Sequence, residues 1–188
     1  MKILTRYPFS ISLLHWLTAV ALIGNLIVGL LLDDKEELVS LHKSIGIAIL
    51  GLVLIRAANR FRMRRRLPPS VNPAGTPTHL AERAVHGLLY VLMFAIPVSG
   101  WMKTNAAGHS ASCFGLFSLP TLMPKSRELS HWFGQLHALA AYGLAALVCL
   151  HILGAIMHRV LKAENVLPRI MPLPTRRRME EMRGTDRG

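Results

Sequence analysis

Four long apolar stretches divide the chain. They run from Phe9 to Leu32, from about Leu38 to Ala58, from about Leu80 to Met102, and from Trp132 to about His158. The first has no Asp, Glu, Lys or Arg, and neither does the fourth from Trp132 to Met157. An α-helix needs ~20 apolar residues to cross a bilayer. Each stretch meets that length. The pattern predicts an all-α membrane protein, an antiparallel bundle of four transmembrane helices spanning 9–32, 38–58, 80–102 and 132–158. Pro97 falls inside the third and is expected to kink it.

The polar segments between the stretches set the topology. Asp33-Asp34-Lys35-Glu36-Glu37 forms an acidic turn. From Arg56 to Arg66 there are six arginines and no acid, followed by Pro68, Pro69, Pro73 and Pro77. The 103–130 loop is polar, with Lys103, His109, Lys125, Arg127 and Glu128, and residues 173–188 form a basic tail. Cytoplasmic loops carry excess Lys and Arg. The basic arm at 1–8, the 56–66 run and the tail therefore belong to the cytoplasm, and four spans put both termini there. Trp16, Trp101 and Trp132 lie near helix ends, as an interfacial aromatic belt requires. Lys2 and Arg6 ahead of an apolar run resemble a signal peptide. The run is longer than an ordinary signal core and has no small-x-small cleavage site, so it reads as a retained helix.

Composition narrows the function. Of 188 residues, 52% are hydrophobic and 17% charged, with mean hydropathy +0.37. The 22 Lys and Arg outnumber the 10 Asp and Glu. These cations alternate with apolar spans instead of decorating a soluble surface, so topology rather than nucleic-acid binding accounts for them. Cys113 and Cys149 fall in a loop and a helix, which makes a disulfide between them unexpected. No C-x-x-C-H is present to attach a haem covalently.

Chemistry resides in the histidines. There are nine, and ionisable residues at membrane depth are functional candidates by default. His137 and His151 on the fourth stretch are fourteen residues apart. On a helix that is ~21 Å along the axis, within ~40° of one face. His15 enters the first helix from the cytoplasmic side and His42 opens the second from the other. Depth thus pairs His15 with His151 and His42 with His137. Two such pairs suit two b-type haems, each iron taking two neutral imidazoles. His86 shares the level of His15, and spacing alone favours neither as the partner of His151. His158, two turns beyond His151, sits at the same end. Interhelical hydrogen bonding is the plainer reading of any single histidine. For four at matched depths it is the weaker one.

His15-Trp16, Leu41-His42, His86-Gly87-Leu88-Leu89-Tyr90, Leu150-His151 with His158, and Asn165-Val166-Leu167-Pro168-Arg169-Ile170-Met171-Pro172 together resemble the small bacterial cytochrome b561 family. The resemblance covers roughly residues 6–172 and extends to the cytochrome b subunits of formate dehydrogenases and hydrogenases. It implies His15–His151 as ligands of a cytoplasmic-side haem and His42–His137 as ligands of a periplasmic-side haem. It leaves His86 and His158 to a quinone site or to supporting the ligands. It further implies an inner-membrane oxidoreductase that takes single electrons from superoxide and passes them to ubiquinone. Lys103, Lys125 and Arg127 on the outer loop fit attraction of an anionic donor, or ordinary headgroup contact. The alternative is a membrane-anchor subunit relaying electrons between a partner oxidoreductase and the quinone pool.

Overall fold

A computed structural model describes residues 6–32, 36–161 and 167–172. Residues 1–5 of the basic arm, Asp33, Asp34 and Lys35 of the acidic turn, residues 162–166 with Asn165 and Val166, and the 173–188 tail lie outside the described residues. Four long helices make the fold: α1 (Phe9–Leu30), α2 (Glu36–Arg62), α3 (Pro77–Ala106) and α4 (Arg127–Leu161). All four are long and apolar enough to cross a membrane. A short α5 (Leu167–Ile170) follows.

The helices are longer than the apolar stretches that announce them. α2 continues through Arg60 to Arg62 and ends in a 3-10 turn at Arg64–Arg66. Arginine is a good helix former, so leaving the apolar layer does not end the helix. α3 starts at Pro77, where Pro at the first helical position needs no N–H partner. The Thr76 hydroxyl caps it, accepting from the His79 N–H at 3.2 Å,. α3 then runs unbroken through Pro97. α4 begins at Arg127, so only 107–126 of the expected 103–130 loop is non-helical.

That loop contains a hairpin. β1 (Ser112–Cys113) pairs antiparallel with β2 (Phe117–Ser118). The connection is three residues, 114–116, with Phe114 and Gly115 at φ of 49° and 72° in the left-handed region,, and the Leu116 N–H closes the turn on the Cys113 carbonyl at 2.9 Å. The turn is fastened to α2 through buried Ser44, whose Oγ accepts the Phe114 N–H at 2.9 Å.

Backbone packing links α1 to α2, α2 to α3 and α3 to α4. The core is an apolar layer at mid-height: Leu22 of α1, Ile49 and Val53 of α2, Leu89, Met93 and Ile96 of α3, and Leu144 of α4. Leu144 is seven residues from both His137 and His151, so this layer divides the histidines into two levels. Large apolar side chains such as Val20, Leu30, Leu139 and Val160 point outward and are about 70% exposed. Lipid, not water, suits such a surface.

α5 folds back onto the start of the chain. The Tyr7 N–H donates to the Arg169 carbonyl at 2.9 Å. Arg6 Nε donates to the Pro168 carbonyl at 2.9 Å, and the Trp16 indole N–H to the Ile170 carbonyl at 3.1 Å. Arg169 in turn donates to the Pro69 carbonyl at 2.8 Å. Residues 6–16 and 167–170 therefore meet at the arginine-rich end of the bundle.

Candidate functional site

The fourteen-residue spacing on α4 sends one histidine to each side of the Leu144 layer. At the hairpin end, the His137 ring faces His42 of α2 with centroids 6.0 Å apart and planes at 81°. At the arginine-rich end, His151 faces two rings. His15 of α1 lies 6.3 Å away at 69°, and His86 of α3 lies 5.0 Å away at 80°. The ring pairs His42–His137 and His15–His151 reach α4 from α2 and α1, helices outside its main packing partnership with α3.

Simple geometry tests whether a metal fits. A metal held between two facing imidazoles would take a ring nitrogen from each at ~2.0 Å, and with that nitrogen ~1.1 Å from its ring centre the centroids would stand ~6.2 Å apart. The 6.3 Å and 6.0 Å pairs meet this spacing. The 5.0 Å separation of His86 and His151 is more than 1 Å short of it.

Hydrogen bonds fix which ring nitrogen carries the proton. His137 Nδ1 lies 2.9 Å from the Ile96 carbonyl and 3.2 Å from Ser99 Oγ. Ser99 donates its own proton to the Ile96 carbonyl at 2.8 Å. The His137 proton therefore sits on Nδ1, and Nε2 keeps a free lone pair, the usual state of a metal-binding histidine. His86 reaches the same state through the Glu82 carbonyl at 2.8 Å. His42 Nδ1 is buried without a hydrogen bond of good geometry.

His15 differs. Its Nδ1 lies 2.9 Å from Arg56 Nη2. A guanidinium can only donate, so Nδ1 accepts and the proton of the neutral ring sits on Nε2. Metal binding through Nε2 requires Arg56 to leave Nδ1. In this same position the guanidinium lies over the Tyr90 ring, 5.1 Å from its centroid,. Arg56 was legible in the sequence only as one arginine of a topological run, because nothing in the pattern signals a contact across to α1.

Two glycines shape the hairpin-end level. A Cβ at Gly29 would come within 3.1 Å of His42 Cε1, and one at Gly100 within 3.0 Å of His137 Cε1. Gly87 and Gly154, at the other end, face open space. The sequence shows these glycines without separating the two kinds.

The remaining candidates lie around the edges. Lys103 ends up in α3 and Arg127 in α4, not in a loop. The Lys103 stem lies along α4 at Gly134, and the Lys125 stem covers Gly108. Both lysines and Arg127 are exposed at the hairpin end. His158 is half-buried on α4 beyond His151.

Comparison with known proteins now decides the family. The pattern of prokaryotic cytochrome b561 matches residues 6–173. The chain belongs to the prokaryotic cytochrome b561 family. It is 31% identical over 174 residues to cytochrome b561 homolog 2 of Escherichia coli (strain K12), covering 88% of this chain and 91% of that one. It is 32% identical over 133 residues to the probable superoxide oxidase CybB of Yersinia pestis, covering 70% and 73%. Cytochrome b562 of Cereibacter sphaeroides is 26% identical over 170 residues, covering 84% and 90%. As a cytochrome b561, the chain is a multi-pass electron carrier of the bacterial inner membrane, and its family binds haem b.

Proposed function

We propose that this chain holds two haems b and carries single electrons from superoxide on the periplasmic side to ubiquinone in the membrane. The observation that carries this reading is the pair of ring separations, 6.3 Å and 6.0 Å, one on each side of the Leu144 layer. His15 and His151 would hold one haem and His42 and His137 the other. Bound there, the haems supply one-electron redox chemistry at two depths.

The chain's own residues do the rest. The Ile96 carbonyl and Ser99 orient His137. The Leu22–Leu144 layer keeps water from the space between the two levels. With the arginine-rich end in the cytoplasm, the exposed Lys103, Lys125 and Arg127 face the periplasm and favour approach of an anion. The similarity to a probable superoxide oxidase supports superoxide as that anion. Two superoxide ions would each lose one electron to become dioxygen, and one quinone would gain two electrons and two protons to become quinol. We assign proton supply to His86 and His158, two titratable rings toward the arginine-rich end that serve no haem.

The test is direct. The purified chain should give two haems b per polypeptide by pyridine haemochrome and reduce a ubiquinone analogue when superoxide is generated beside it. One haem per chain would sink the two-site assignment. A di-haem protein inert to superoxide that co-purifies with a redox subunit would reassign it as an electron-relaying anchor.

A further inference from the structure

A groove of ~460 Å³ with no histidine in its lining lies between α1 and α2, lined by Ser10, Leu14, Ile55, Ala58, Asn59 and Arg62. Ser10 and Leu14 are four residues apart on α1, and Ile55, Ala58, Asn59 and Arg62 follow helical spacing on α2, so the lining is two facing stripes. Its apolar walls, Leu14, Ile55 and Ala58, belong to the membrane-spanning part of the helices. Its polar end is built. Asn59 is 8% exposed and donates through Nδ2 to Ser10 Oγ at 3.1 Å. Its Oδ1 accepts from Arg62 Nη2 at 3.0 Å. A buried amide, itself tied to the neighbouring helix, thus holds the guanidinium at the groove's end. This bond occupies one of the five N–H donors of Arg62.

The charge around that end is one-sided. Arg60, Arg64, Arg65 and Arg66 are exposed nearby, and no acidic residue occurs from Arg56 to Arg66. A ligand that satisfies both parts must have an aliphatic tail and an anionic head. We propose that this groove binds one anionic phospholipid, its acyl chain against Leu14, Ile55 and Ala58 and its phosphate on Arg62. Basic pockets between membrane helices recognise headgroups in this way, and guanidinium matches phosphate through paired N–H donors. A neutral quinone head would leave the cation cluster unused, and free phosphate would leave the apolar walls uncovered. The inference is independent of how many haems the chain holds.

Native mass spectrometry of the haem-loaded full chain, with phosphatidylglycerol and phosphatidylcholine titrated in neutral detergent, tests it. The wild type should retain one phosphatidylglycerol in preference to phosphatidylcholine. Arg62→Gln should weaken that binding about five-fold, the share of one cation at an anionic surface. Arg64→Gln, outside the groove lining, should change it less. Ala58→Phe should block binding while leaving Arg62 in place, which separates groove occupancy from loose charge attraction. The Soret band of each variant reports that it is folded. Equal retention of both lipids, binding unaffected by Arg62→Gln and Ala58→Phe, or displacement by inorganic phosphate or a ubiquinone analogue at similar concentrations would each overturn the proposal.

Discussion

The two histidine levels share one helix and little else. At the hairpin end, two rings face each other, two glycines leave room for them, and His137 has its proton fixed by a backbone carbonyl. At the arginine-rich end, three rings crowd together, no glycine shapes the space, and a guanidinium holds His15 in the opposite protonation pattern. The first level is preorganised by sterics and a neutral hydrogen bond. The second is poised by charge. A positive neighbour favours the reduced form of a redox centre, so electrons moving from the hairpin end would run toward the more attractive site.

Replacing ligands should break this comparison most severely. His137→Ala should drop the haem content from two to one and leave the other spectral signature intact, and His15→Ala should do the reverse. If His86→Ala rather than His15→Ala removes the second haem, the 5.0 Å ring pair is the ligating one. Pyridine haemochrome and low-temperature spectra read both outcomes.

Crowding comes next. Gly100→Ala puts a methyl group 3.0 Å from His137 Cε1. Overpacking of this kind costs about 1–3 kcal/mol, so haem binding at the hairpin end should fall roughly tenfold or more. Gly87→Ala, in open space, should leave haem content unchanged.

Charge should act on only one level. Arg56→Gln should lower the potential of the arginine-end haem by tens of millivolts, at ~59 mV per tenfold change in relative affinity, and barely move the other. A redox titration that shifts both equally would mean the asymmetry is not local. The smallest effect belongs to Ser99→Ala. It leaves the Ile96 carbonyl bond to His137 in place, and should cost about 0.5–1.5 kcal/mol in thermal stability without loss of haem.

Much of the fold could be read before any coordinates. Apolar runs of bilayer length allow only helices, so the four spans and their order were legible. The ends were not. α2 runs past Arg60 because arginine tolerates helix well, and α3 starts early because Thr76 and Pro77 form a cap that hydropathy does not register. The hairpin escaped because its turn puts Phe114, not Asn or Gly, in the left-handed region, leaving Gly115 as the only signal. In the site, the two levels followed from one spacing along one helix. The contest between His15 and His86 did not, because it depends on which helices stand across from α4, and periodicity is silent on that. Arg56 was hidden for the same reason.

The contacts of α5 also bear on how the chain is made. Residues 6, 7 and 16 leave the ribosome well before their partners at 168, 169 and 170. The Trp16 indole beside His15 waits 154 residues before its carbonyl arrives, and Arg169 then ties the same segment to the connector at Pro69. Residues 167–170 thus close on the segment that leads into α1. A chain stopped short of residue 167 would insert its four spans and still lack that closure.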